Sequence, residues 1–195
     1  MNENLAYQDP VWEELIDGKV VLMSPRPTVN HNFVASNIYS IFNRYLKGKG
    51  CTPFADGTDL YLTEKDRFVP DGMIVCDRDK IQTDGVHGAP DLVVEVLSPS
   101  TAKNDIGHKK DVYEACGVKE YWIVTPIGKM VEVYYNQDGR FEIDAVYTDF
   151  SDHDLERMDD DDRKNVRMEI PVSLYDDFFV KVKDIFVNVD GFQER

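Results

Sequence analysis

Ala89-Pro90-Asp91-Leu92-Val93-Val94-Glu95-Val96-Leu97-Ser98-Pro99-Ser100-Thr101 is the stretch whose reading decides the fold. Its centre is a nearly continuous apolar run rich in valine, the texture of a central strand covered on both faces. Ser98-Pro99-Ser100-Thr101 ends it. Glu95 interrupts the run, and an ionised carboxylate among apolar side chains costs several kcal/mol unless it is paired, protonated or bound to a metal. Side chains alternate along a strand, so Asp91, Val93 and Glu95 share one face while Leu92, Val94 and Val96 share the other. Two readings of Glu95 stand at this point, a glutamate salt-bridged for structure and a site residue.

Working outward toward the amino terminus, Met73-Ile74-Val75 and Leu60-Tyr61-Leu62 are short apolar runs broken by Asp, Gly and Pro, as expected of strands joined by turns. Asp71, in Val69-Pro70-Asp71-Gly72, stands at the mouth of the first of these strands. A Pro-Asp dipeptide alone is commonplace in turns, and it gains weight here only because Glu95 lies on a neighbouring strand. Further upstream, Phe33, Val34, Ile38, Ile41, Phe42, Tyr45 and Leu46 recur at helical spacing, which predicts an amphipathic helix from about Asn30 to Lys47. Val11 to Ile16 and Lys19 to Met23 flank Asp17-Gly18, a hairpin turn signal, and Pro25 and Pro27 interrupt the chain beyond them.

On the other side of the central run, a helix is predicted from about Asn104 to Cys116, closed by Gly117. Laid out at about 100° per residue, Lys109 falls in the middle of the apolar arc made by Ile106, Val112, Tyr113 and Cys116. Asp105 lies on the same face one turn earlier, Lys110 at its edge, and Asp111 toward solvent. A lysine snorkelling from an amphipathic helix is the plain alternative to a functional one. Glu120 to Val124 reads as a strand, and Met130 to Tyr135 and Arg140 to Tyr147 as a second hairpin around Gln137-Asp138-Gly139. From Asp149 to Lys164 there are eight acidic and three basic residues, which we read as a solvated loop or insertion. Ile170 to Leu174 would be a last strand, and Phe178, Phe179, Val182, Ile185 and Phe186 a closing helix. With no repeat and no linker, residues 1–195 are expected to form one α/β domain, a central mixed sheet flanked by helices.

The 37 Asp and Glu residues against 22 Lys and Arg give a net charge of -15. That balance argues against coating nucleic acid or an anionic membrane through the general field, although a local site could still meet phosphate through a metal ion. Cys51, Cys76 and Cys116 are odd in number and far apart, so neither a disulfide framework nor a zinc knuckle is expected, and a reduced cytoplasmic setting fits. No basic head with an apolar stretch opens the chain and no 18 apolar residues run together, so neither secretion nor membrane spanning is expected. His87, His108 and His153 show no metal-ligand spacing, and there is no GxSxG, GxxxxGK[ST] or GxGxxG.

Two carboxylates on adjacent strands and an inward lysine suit divalent-metal phosphodiester hydrolysis, in which oxygen ligands hold Mg²⁺ and the lysine orients or helps deprotonate the attacking water. At these residues the chain resembles the PD-(D/E)XK restriction-endonuclease-like proteins, and within them the bacterial Uma-two group. The resemblance rests on Val69-Pro70-Asp71, on Ala89 to Thr101, and on Asp105, Lys109, Tyr113, Gly117-Val118 and Tyr121-Trp122-Ile123-Val124. Glu14-Leu15-Ile16-Asp17-Gly18 and His31 also look like that group, so the likeness runs from about Glu14 to Val124, with a weaker continuation to the C-terminal helix.

The resemblance implies a restriction-endonuclease-like fold and a Mg²⁺-dependent nuclease, with Mn²⁺ as a substitute, acting on nucleic acid, namely DNA, as a homodimer. It makes Asp71 and Glu95 the metal ligands and, with Lys109, the catalytic set. The chain departs from the family pattern at Leu97, where the (D/E)XK lysine would stand. In this group the lysine has moved to the following helix, which makes Lys109 its counterpart. Glu14 and His31 are second-rank candidates, as a surface hairpin residue and a helix-start residue respectively are their plain alternatives. The rival from another class is a non-catalytic binding or structural protein that retains the fold.

Overall fold

The computed structural model describes residues 13–22, 27–98, 102 and 105–189. The expectations for Val11, Pro25, the strand terminator Pro99-Ser100-Thr101 and the helix start at Asn104 lie outside the described residues. The strands are β1 (Glu13–Ile16), β2 (Lys19–Leu22), β3 (Thr52–Ala55), β4 (Leu60–Tyr61), β5 (Arg67–Phe68), β6 (Gly72–Val75), β7 (Val86–His87), β8 (Leu92–Val96), β9 (Glu120–Thr125), β10 (Met130–Gln137), β11 (Arg140–Thr148), β12 (Glu169–Pro171) and β13 (Phe179–Lys181). The α-helices are α1 (Val29–Leu46), α2 (Lys110–Cys116), α3 (Asp152–Arg157), α4 (Asp160–Asn165) and α5 (Val182–Ile185). A kinked turn, Asp105–Lys109, with Gly107 at φ -100° and ψ -109°, leads into α2.

The central sheet has the order β11-β10-β9-β8-β6-β3 and is mixed, because β8 and β9 run parallel and the other neighbours antiparallel. A parallel pair needs a crossover, which the kinked turn and α2 supply. The valine-rich run is the buried middle: all five residues of β8 are inaccessible to solvent. Its two faces feed different cores. Leu92, Val94 and Val96 pack with Ile38 and Phe42 of α1 and with Trp122, while Val93 packs with Tyr113 of α2 and with Phe68. A second sheet, β2-β1-β5-β4-β7, closes over the α2 side.

Hairpin turns form where the sequence supplies residues that tolerate positive φ. Asp17 and Gly18 stand at 50° and 72°, and Asp138 and Gly139 at 51° and 83°. Thr28 caps α1, its side chain accepting from the His31 amide.

Four expectations are corrected. Asp149 to Lys164 is not simply loop: α3 begins at a capping box of Ser151 and Asp154, and the Asp159 side chain caps α4, so short polar side chains nucleate helices in a segment without an apolar face. Phe179 to Lys181 is strand rather than helix, because Phe178 and Val180 are buried while Phe179 is 56% exposed, an alternation of period two. The helix expected from 104 onward is a turn kinked at Gly107 before α2, and Ile106, placed in its apolar arc, is 53% exposed. Finally, Cys51 and Cys76 are joined in a disulfide, which 25 residues of separation conceal. The β3–β6 register, Thr52 opposite Val75, brings them face to face one step on, so the cysteine count no longer argues for a reducing compartment. Cys116 is a free thiol. Among the described residues no helix is long and apolar enough to cross a membrane.

Glu120 is the buried carboxylate on the α1 side of the sheet. It accepts hydrogen bonds from Trp122 Nε1 at 2.6 Å and from the Ser173 amide and hydroxyl at 2.9 and 2.6 Å, tying the β12 region to the sheet. Burial pushes its carboxyl up from 4.5 to about 7, against the opposing hydrogen bonds. A folded-state value above the unfolded one means the native protein holds the extra proton. The stability linked to Glu120 is therefore fully present below about pH 4.5 and lost as the pH rises through about 7. Denaturant melts of the unmodified protein and Glu120→Gln should show their stability difference falling by on the order of 3 kcal/mol between pH 4.5 and 8. A difference independent of pH would contradict this.

Candidate active site

The β6–β8 ladder ends at Gly72 opposite Val94, and continuing its antiparallel register by one step puts Asp71 beside Glu95. The Asp71 charge helps to push the Glu95 carboxyl upward. Asp71 is held at both oxygens. Its Oδ2 accepts from the Val96 amide at 2.7 Å, and its Oδ1 lies 3.1 Å from Nε2 of His31, which the first turn of α1 carries to the site.

Glu95 is 2% exposed, and its Oε1 accepts from the Tyr113 hydroxyl at 2.7 Å and from Lys109 Nζ at 3.3 Å. Lys109, 4% exposed, points inward as the sequence predicts. Its ammonium also lies 2.8 Å from Glu14 Oε1 and 3.4 Å from Asp105 Oδ1. Lys110 turns away, its Nζ 3.5 Å from the centroid of the Tyr134 ring. Asp91 is not brought into this group: its carboxylate takes the Cys76 amide and Lys119 Nζ, each at 2.7 Å. His108, next to Lys109, pairs with Asp66 at 2.9 Å and so fastens the kinked turn to the loop before β5.

Asp71, Glu95 and Lys109 are thus gathered at one place, with Glu14, His31, Asp105 and Tyr113 around them. Tyr113 is the participant that sequence reading missed. The sequence places it in the apolar arc and among the residues of the family likeness without giving its hydroxyl a role, although a tyrosine one turn beyond an inward lysine carries a hydroxyl that must find a partner when buried.

The electrostatics are those of excess negative charge. Burial pushes the Glu95 carboxyl well above its ordinary range, with Asp105, Asp71 and Glu14 adding to the shift and Lys109 opposing it. Burial alone would lower the Lys109 ammonium, but Glu95, Glu14 and Asp105 outweigh it and hold the amine above its usual value. Burial would likewise lower the His31 imidazole, and the Asp71 hydrogen bond and charge, with Asp56 and Asp105, carry it upward instead. Burial and the Glu95 charge keep the Tyr113 hydroxyl protonated, as a donor. Four carboxyl groups, Glu14, Asp71, Glu95 and Asp105, are therefore gathered around one lysine and one histidine.

Hard oxygen donors in this number suit a divalent cation of the magnesium type. Among the described residues no three His, Cys, Asp or Glu side chains already form a metal-binding group. Magnesium does not require one, since it commonly binds through one or two carboxylates and keeps water on its other positions. Asp71 and Glu95 are the carboxylates that would supply them.

Residues 3–158 match the profile of the Uma2 family, described as "Putative restriction endonuclease". A relative from Synechocystis sp. (strain ATCC 27184 / PCC 6803 / Kazusa), described as "Uncharacterized protein slr1290", is 28% identical over 128 residues. That match covers 64% of this chain and 66% of the relative, just under two thirds of its length. The crystal structure of "a putative nuclease belonging to DUF820" from Anabaena variabilis ATCC 29413 has the same fold, with a TM-score of 0.67 at 20% identity over 91% of this chain and 90% of that one.

The cluster of carboxyl groups has a thermodynamic consequence. Mg²⁺ or Mn²⁺ should raise the melting temperature, because a cation bound only by the folded state stabilises it by mass action. The rise should shrink in Glu95→Gln and grow in Lys109→Met, which leaves the carboxylates one positive charge poorer. Differential scanning fluorimetry with a cation titration measures all three, and an equal rise in the unmodified protein and Glu95→Gln would remove Glu95 from the cation site.

Proposed function

Because the chain belongs to the Uma2 family, with a restriction-endonuclease-like fold, we propose that it is a Mg²⁺-dependent nuclease hydrolysing phosphodiester bonds in DNA, with Mn²⁺ able to substitute. Asp71 and Glu95 are its metal ligands, and Lys109 is its catalytic lysine. The observation that carries this reading is Asp71, held to β8 by the Val96 amide at 2.7 Å, beside Glu95, with the buried Lys109 ammonium 3.3 Å from Glu95.

The cation, when bound, supplies Lewis-acid stabilisation of the charge that develops on the scissile phosphate. The protein's own groups do the remaining work. His31 and the Val96 amide fix the two oxygens of Asp71, and Tyr113 fixes Glu95, so both carboxylates are oriented before substrate arrives. Lys109 acts as a charged donor that orients the attacking water or meets the phosphate, not as a base, since three carboxylates keep it protonated. Two such sites are needed to cut two strands, and the proposal includes a homodimer. Light scattering at micromolar concentration should give twice the chain mass, and a monomer would exclude it.

One observation favours the non-catalytic reading. An ammonium has three donors, and Glu14, Glu95 and Asp105 are placed to take all three. Plasmid cleavage separates the two readings. The unmodified protein should cut DNA only with Mg²⁺ or Mn²⁺, and Asp71→Asn and Glu95→Gln should abolish cutting. Lys109→Met should lower the rate by about two to four orders of magnitude, as a positioned proton-handling or charged group usually contributes. Lys110→Met should stay near the unmodified rate. No cleavage with any divalent cation would establish the non-catalytic reading, and loss in Lys110→Met with retention in Lys109→Met would overturn the lysine assignment.

A further inference from the structure

Glu14 joins the two ends of this site. The β1–β5 ladder contains a single pair, Leu15 opposite Arg67, and stops there. Where it stops, the Glu14 carboxylate takes the ladder's place: Oε1 accepts from the Val69 amide at 2.9 Å. Val69 precedes Pro70 and Asp71, so this bond fixes the segment that delivers Asp71 to the mouth of β6. The same oxygen lies 2.8 Å from Lys109 Nζ, nearer than Glu95 or Asp105.

The contacts close into a ring. Glu14 holds Val69, the chain runs from Val69 to Asp71, and Asp71 accepts from the Val96 amide. Glu95, the neighbour of Val96, holds Lys109, and Lys109 returns to Glu14. Every other fixed contact of Lys109 lies on its own turn or on the strand just before it, apart from the Phe68 ring, 5.7 Å away. A lysine on a flexible four-carbon stem needs such an anchor to keep its charge at one point.

We propose that Glu14 is a positioning residue that holds Lys109 and the Asp71 segment in one fixed relation, so that lysine and aspartate keep register across two sheets. The proposal rests on the nuclease reading for its catalytic consequence only; the placement itself is independent of it.

Glu14→Gln and Glu14→Leu test it. Gln keeps an oxygen for both the Val69 amide and the ammonium, whereas Leu fills the space and removes the acceptor. Steady-state cleavage of DNA with Mn²⁺, at a temperature where melts show every variant folded, should give Glu14→Leu a kcat lower by about ten- to a hundredfold, the scale of a small misplacement. KM should be unchanged, and Gln should recover most of the loss. A Leu variant with unchanged kcat, a Gln variant no better than Leu, or an effect confined to KM would overturn the proposal. Acylation of Lys109 by a water-soluble succinimidyl ester, followed by mass spectrometry, and hydrogen exchange at the Val69 amide read the placement without catalysis. Both should be slow in the unmodified protein, fastest in Leu and intermediate in Gln. If the unmodified protein cleaves nothing, the nuclease reading fails and these two rates still decide the role of Glu14. Equal rates in all three proteins would exclude it.

Discussion

A buried ammonium and a buried carboxylate cannot each be tolerated alone, and the α2 side of this protein is organised around that constraint. Taking either ion out of water costs several kcal/mol, and the cost is offset only when partners reach it with good geometry. Lys109 meets that demand with Glu14, Glu95 and Asp105, drawn from a hairpin, the central strand and its own turn. Tyr113, from the helix that follows, completes the shell of Glu95. The elements that touch the lysine are therefore the elements that must be in place before any part of this face is stable.

The central sheet makes this arrangement possible by keeping its two faces chemically distinct. On the α1 side, Leu92, Val94 and Val96 join an apolar core whose buried carboxylate, Glu120, is satisfied by Trp122 and Ser173. On the other side, Val93 begins an apolar core that ends at Glu95. A slip of one residue in β8 would exchange the faces and put Glu95 against α1, so apolar burial and site placement enforce the same register. The antiparallel β6 then brings Asp71, one step past the end of the ladder, to the Glu95 strand, where the Val96 amide holds it.

The kinked turn has a comparable part. It buries Asp105 and Lys109 while leaving Ile106 in solvent. The consequence is electrostatic: a carboxyl group and an ammonium from one turn both act on Glu95, and His108 between them reaches Asp66 in the loop before β5.

Composition and local pattern determined much of this protein. The valine run marked the central strand, Asp17-Gly18 and Asp138-Gly139 marked the hairpins, and the spacing of Val34, Ile38, Ile41 and Phe42 marked α1, because burial on one face writes a period into the chain. Asp71, Glu95 and Lys109 were legible for the same reason, being charges where that period calls for apolar side chains or strand mouths. Tertiary structure decided what depends on pairing between distant segments. The Cys51–Cys76 disulfide needs the β3–β6 register, the strand at Phe179 needs β12 beside it, and Glu14 becomes a site residue only when β1 is laid against β5. A hydrogen bond or ion pair across 95 or 25 residues leaves no periodic trace in either partner. What it requires is a shared position in space, and only the folded chain supplies that.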